Sequence, residues 1–172
     1  MTKEELRQIA PYASGKNINI YAPLLAKYMA HYGIAGRMRE AAFIATVLHE
    51  SGSLTYTEEI ASGLAYEGRK DLGNIEAGDG ERFKGRGLIQ VTGRANYALA
   101  GVALGIDCIR MPDILSEPEN AVKVSCWWWH MKGLNEIADT EDFRKVTRIV
   151  NGGYNGWTNR LNFYNRAKGV LK

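Results

Sequence analysis

Three carboxylates fall within ten residues of one another in the stretch "HESGSLTYTEEI", residues 49–60: Glu50, Glu58 and Glu59. Glu50 follows Phe43 by seven residues and Val47 by three, so on a helix it shares a side with apolar residues. It also falls in the last turn before Gly52, at the negative end of the helix dipole. Partial burial and that dipole both disfavour the charged carboxylate. A carboxyl that keeps its proton is what a general acid needs. Glu58 or Glu59 could be brought back by the turn at Gly52 and Ser53 to face it. Two carboxyls on either side of a sugar bond, about 6.5–9.5 Å apart, are the requirements of an inverting glycosidase. Spacing alone does not choose between Glu58 and Glu59, nor does it exclude ordinary solvated charge.

A second stretch, "GDGERFKGRGLIQVTGRANY" (residues 78–97), is rich in glycine but matches neither phosphate-binding pattern. No Gly-Lys-Ser/Thr follows at P-loop spacing, and no strand precedes it as in a dinucleotide fold. "GLIQVT" (87–92) alternates as a short strand would, which predicts Gln90 and Thr92 on one face. Amide and hydroxyl side chains there suit the polar groups of an N-acetylated sugar. The run Trp127, Trp128 and Trp129 sits on an expected helix, where aromatic runs more often build core than a sugar platform. His31, His49 and His130 are not at metal-ligand spacing, and no metal or cofactor is expected.

The elements that must position these groups read as helices. Segments at 2–10, 21–32, 37–51, 94–104, from Pro118, from a cap at Thr140 to Asn151, and from a cap at Thr158 to Ala167 give seven or so. Residues 54–87 carry no sustained helical period. The 172 residues, 45% hydrophobic and 24% charged, suit one domain, expected as a single catalytic unit over 1–172 without a separate wall-binding module. The net charge of +3 and the lack of a dense basic, aromatic-laced patch argue against nucleic acid. From Phe143 to Lys172 there are seven Lys or Arg and no Asp or Glu, which predicts electrostatic contact with an anionic surface such as an outer membrane. Charge reversal at Arg144, Lys145 and Arg148 is then expected to leave hydrolysis of purified wall polymer largely intact. No signal-peptide core or membrane-length apolar run is visible, so cytosolic residence is expected, and Cys108 and Cys126 are expected as free thiols.

Taken together, "FIATVLHESG", "KGRGLIQVTGRANY", "MPDIL", "VNGG" and "NRLNFY" occur in an order that resembles glycoside hydrolase family 19, the chitinase-like enzymes, and within it the short phage endolysins. The resemblance covers about Ala22 to Leu171. It implies a mainly α, lysozyme-like fold with two helical lobes around a substrate cleft and at most a small β element. It implies Glu50 as general acid, Glu59 as the base that activates water, and Thr92 as the residue that helps place that water. His49, Gln90, Asn96 and Asn151 correspond to substrate-contacting positions, and Arg86 and Arg160 to cleft arginines. The chain differs from plant members in having Tyr154 where they carry an acidic residue after the "NGG" turn. It also lacks counterparts of their disulfides and of several of their loops. These differences point to peptidoglycan glycan strands as substrate. The implied protein is a monomeric lysis enzyme of the host cytoplasm, released to the wall by a separate pore. A chitinase and a non-catalytic wall-polysaccharide binder are the rival readings.

Overall fold

A computed structural model describes residues 1–172. Nine α-helices appear: α1 (Lys3–Ile9), α2 (Gly15–His31), α3 (Arg37–Glu50), α4 (Asp79–Arg82), α5 (Arg94–Leu104), α6 (Pro118–Met131), α7 (Leu134–Asp139), α8 (Phe143–Asn151) and α9 (Trp157–Val170). Short 3-10 turns lie at Leu64–Tyr66, Lys70–Leu72 and Pro112–Ser116. The only β pairing is a pair of single antiparallel bridges, Glu58 with Arg86 and Arg86 with Val91. The fold is therefore mainly α with a minimal β element, as the resemblance implies.

α3 is the central helix. Every residue from Ala41 to Leu48 is buried, so the stripe expected over Phe43, Ile44, Val47 and Leu48 widens to enclose the middle of the helix on all sides. α9 packs along it, and α7 and α8 also lie against it. Phe43 meets Trp129 edge to face at 5.3 Å, and the Trp129 indole N–H donates to Asn135 Oδ1 at 2.9 Å. Trp129 is fully buried, Trp127 nearly so, and Trp128 half-buried. The tryptophan run is core, which leaves no exposed indole platform for a sugar.

Helix limits follow local chemistry. Thr2 and Glu5 form a reciprocal capping box at α1, with backbone-to-side-chain bonds of 3.1 and 2.6 Å. α5 ends at Gly105 in the left-handed conformation, and Pro118 occupies the first turn of α6. Three expectations are corrected. α2 begins at Gly15, capped by Ser14, and runs through Pro23. α8 is capped by Asp142, whose Oδ1 accepts from the Lys145 N–H at 2.9 Å; Thr140 instead donates to the Ile137 carbonyl one turn back. α9 starts after Gly156, one residue before the expected cap Thr158.

The second lobe, residues 54–93 with α5, has little helix and is held by side chains. Asp79 is buried and accepts from the Ile75 and Glu76 N–H groups at 3.0 Å each and from Arg94 at 2.6 and 2.8 Å. The Arg94 guanidinium beside it holds the Asp79 carboxyl below its ordinary range, against a smaller opposing effect of burial. The buried side chains of both lobes form one continuous cluster, so the two lobes share a core.

Candidate active site

α3 delivers Glu50 to the cleft at its last residue, where Ser51 turns the chain. Ser51 Oγ donates to the Val47 carbonyl at 2.5 Å and accepts from the Leu54 N–H at 2.9 Å, which fixes the exit. Glu50 is 19% exposed and meets Arg160 of α9 through Oε1 and Nη2. Its other oxygen, Oε2, has no protein partner. Burial and the helix end were expected to keep this carboxyl neutral. The fold adds a counter-charge that position in α3 does not predict, because Arg160 lies 110 residues away. Arg160 is itself fully buried, held by Nε donating to the Asn155 carbonyl at 3.2 Å, and its Nη1 has no partner.

The two neighbouring glutamates on the opposite wall are separated by their partners. Glu58 is drawn to Lys84 (2.9 Å) and Arg86 (3.2 Å), and the Lys84 contact first, then the Arg86 charge, lowers its carboxyl from the ordinary value. Glu59 exchanges hydrogen bonds with Gly85: its N–H donates to the Gly85 carbonyl at 2.8 Å, and its Oε2 accepts from the Gly85 N–H at 3.0 Å. Its Oε1 accepts from the Tyr66 hydroxyl at 3.0 Å. Burial, and then the Glu59 contact, raises the Tyr66 phenol, so it stays a donor. A Cβ on Gly85 would stand 2.7 Å from Gln90 Oε1 and 3.2 Å from Glu59 Oε2, so a side chain there would displace the Gln90 amide.

Glu50, Glu59, Tyr66, Gln90, Thr92 and Asn151 line one cavity of about 330 Å³. A second hollow of about 280 Å³ shares Glu50, Glu59 and Gln90, is also lined by Glu58, and continues past Tyr56 and Ile60; of the three carboxylates, Glu50 and Glu59 line both hollows. The two carboxylates thus stand where two compartments of one cleft meet. That is where a polymer bond with residues bound on either side would lie.

Gln90 and Thr92 reach this cleft by a route other than a strand. Residues 87–90 form a turn, with the Gln90 N–H donating to the Gly87 carbonyl at 3.2 Å and Gln90 at φ +62°. Leu88, Ile89 and Val91 are all buried because the turn is pinned to α6: Leu88 N–H donates to the Ala121 carbonyl (3.4 Å) and Ile89 N–H to Ser125 Oγ (3.1 Å). A left-handed residue other than glycine costs free energy that the surroundings must offset, and such residues concentrate at functional sites. Thr92 Oγ1 donates to the Gln90 carbonyl at 3.0 Å, which leaves its lone pairs free to accept. Asn151, the last residue of α8, accepts the Asn155 N–H on Oδ1 at 3.2 Å and keeps its amide hydrogens unengaged.

The remaining expected site residues lie outside the cleft lining. His49 bonds Asn159 at 2.7 Å and ties the end of α3 to the start of α9. The backbone passes so close that a Cβ on Gly156, at φ +71°, would stand 2.2 Å from the His49 ring. Asn96 donates to the Thr92 carbonyl at 2.7 Å and fastens the loop to α5. Arg86 is buried, bonding the Arg82 carbonyl (2.8 Å), Tyr97 (3.1 Å), Glu58 and Asp113 (2.5 Å). These three act on the cleft through other residues. Tyr66 was not foreseen; it lies in a segment with no periodicity, seven residues after Glu59, and no local signal marks it.

Cys108 and Cys126 are free and buried, and burial raises both thiols. No helix is long and apolar enough to cross a membrane.

Residues 24–138 match the chitinase class I family, glycoside hydrolase family 19. A glycosyl hydrolase family 19 domain-containing protein of Haemophilus influenzae is 31% identical over 163 residues, covering 77% of this chain and 80% of that protein. An endochitinase of Arabidopsis thaliana is 33% identical over 127 residues, covering 73% of this chain but 43% of its own length. Chitinase C from Streptomyces griseus superposes with a TM-score of 0.78 at 25% identity, over 99% of this chain and 91% of that one. A class IV chitinase from Zea mays shares the fold, with a TM-score of 0.74 at 24% identity over 96% of this chain and 90% of its own.

Proposed function

The chain belongs to glycoside hydrolase family 19, and from that premise we propose that it hydrolyses the β-1,4 bonds of peptidoglycan glycan strands by single-displacement inversion. The observation that carries this is the placing of Glu50 and Glu59 together at the junction of the two cleft compartments. Glu50, paired with Arg160 through Oε1, takes up a proton on its unpartnered oxygen and passes it to the leaving glycosidic oxygen as the bond to C1 breaks. A water on the opposite sugar face attacks C1 and gives up a proton to Glu59. Thr92 suits the placing of that water: its own hydrogen goes to the Gln90 carbonyl, so it accepts the water's second hydrogen. Tyr66 and Gly85 orient Glu59 and stabilise its charge before the proton arrives. Gln90 and Asn151 offer amides to the sugar's acetamido and hydroxyl groups. Turnover is completed when Glu59 releases its proton to solvent and Glu50 takes one up.

Peptidoglycan is preferred to chitin because the wall of the cleft formed by α8 continues into three cationic side chains, and peptidoglycan carries carboxylates where chitin is neutral. As a phage-type lysis enzyme the protein would stay in the host cytoplasm until a separate membrane lesion admits it to the wall. Chitin is the second reading, favoured by the plant and bacterial relatives named as chitinases.

The test is hydrolysis of purified peptidoglycan and of chitin oligomers by the native protein, Glu50→Gln, Glu58→Gln and Glu59→Gln, with new reducing ends identified by mass spectrometry and the product anomer by NMR. Glycan cleavage that persists in Glu58→Gln and is lost by at least about 100-fold in the other two supports the assignment. An active Glu59→Gln overturns the choice of base, a retained anomer overturns inversion, and cleavage of chitin alone overturns the substrate.

A further inference from the structure

A hollow of about 190 Å³ beside the cleft is lined by Asp142, Arg144, Lys145, Arg148 and Tyr154. None of the three cations makes an ion pair or a side-chain hydrogen bond within the protein. Elsewhere, Arg39, Arg69, Arg86, Arg94 and Arg160 are each paired with a carboxylate. The one acidic residue lining the hollow, Asp142, has Oδ1 committed to capping α8. No Asp or Glu follows it in the chain to offset the cluster.

Arg144 is also held in place. Its guanidinium lies 4.4 Å from the Tyr154 ring centroid and 5.8 Å from that of Trp157. Tyr154 stands edge-on to Trp157, so the two rings form a corner under the cation. Stacking of this kind fixes a guanidinium without using its hydrogen-bond donors.

The row points at the active site. Arg144, Arg148 and Asn151 are spaced i, i+4 and i+7 and so form one stripe along α8. Asn151 and Val150 end that helix in the catalytic cavity. The stripe runs roughly 10 Å at 1.5 Å per residue. A glycan strand bound past Asn151 would carry its substituents along it.

We propose that Arg144 and Arg148, with Lys145 beside them and Tyr154 as support, form a subsite for the carboxylates of the stem peptides on the glycan strand. The inference rests on the peptidoglycan reading above. It gives these cations a role in substrate recognition in place of the membrane contact expected from charge distribution alone. Continuity with the cleft is what favours a substituent of the bound strand over a lipid phosphate.

The experiment compares two purified substrates of matched strand length: peptide-bearing peptidoglycan, and the same strands with peptides removed by an amidase and the lactyl carboxylates so freed converted to neutral amides. Rates of new reducing-end formation are measured for the native protein, Arg144→Gln/Arg148→Gln and Arg144→Lys/Arg148→Lys, at moderate and high salt, with folding checked by thermal unfolding. The native protein should cut peptide-bearing strands about three- to tenfold faster than stripped ones, the size expected from two exposed charge contacts. That preference should shrink at high salt, vanish in the Gln variant and partly survive in the Lys variant. Equal native rates on both substrates, or a Gln variant that keeps the full preference, overturn the subsite while leaving peptidoglycan as substrate. A native protein that cuts neither strand but cleaves chitin oligomers overturns both.

Discussion

Replacing Arg160 with Met should destabilise the protein through Glu50, and the size can be worked from the contact. Arg160 is 1% exposed in its side chain and Glu50 is 19% exposed. Breaking a fully buried ion pair from one side costs about 3–5 kcal/mol, chiefly because the remaining charge is left uncompensated. Glu50 faces the cleft and recovers part of its hydration, which puts the expected loss for Arg160→Met at about 2–3 kcal/mol. In a chain of this size that lowers the thermal midpoint by about 4–12 °C. Glu50→Met should also be costly, because Arg160 then retains only its Nε bond to the Asn155 carbonyl, with Nη1 already unpartnered. The double variant leaves neither charge behind. The assay is urea unfolding of the four proteins, with the slope checked for constancy so that the free energies are comparable. The double variant should be more stable than the sum of the single losses predicts, by about 1.5 kcal/mol or more. Additivity to within about 0.5 kcal/mol would show that the two side chains do not stabilise one another and would refute the reasoning.

Tyr66→Phe removes one of two hydrogen bonds to Glu59 and leaves the Gly85 N–H in place. A hydrogen bond to a charged group contributes about 1.5–3 kcal/mol, so kcat should fall roughly ten- to hundredfold with KM little changed; steady-state kinetics with an equal effect on KM would mean that Tyr66 holds substrate rather than the base. Asp79→Asn should destabilise the protein by about 3 kcal/mol, since it leaves Arg94 without its buried partner and weakens the turn at residues 75–79. Because the folded Asp79 carboxyl is held low by Arg94, its contribution is present above the ordinary Asp value and is lost as pH falls below it, towards the folded value. Denaturant midpoints between pH 2 and 5 should therefore drop more steeply for the native protein than for Asp79→Asn, and parallel curves would contradict this.

The parts of the fold legible in sequence are those whose signals are local. α3, α5 and the start of α6 lie where the apolar period and Pro118 put them, because the period is carried by the helix itself and a first-turn proline acts within a residue or two. The stretch at residues 87–92 misleads because its alternation imitates a strand. Its apolar members are buried by bonds to α6, more than thirty residues on, and Gln90 turns back where a strand would continue. The same division runs through the site. A carboxylate at the end of an apolar helix is visible in the residues, but two adjacent glutamates are not told apart by spacing. Their difference lies in partners brought in from elsewhere: Lys84 and Arg86 for Glu58, Tyr66 and Gly85 for Glu59. The fold alone tells them apart, by pairing Glu58 with cations and setting hydrogen-bond donors around Glu59. Arg160 carries the point furthest: its match to a family position put it near the cleft, and the packing of α9 along α3 places it on the acid.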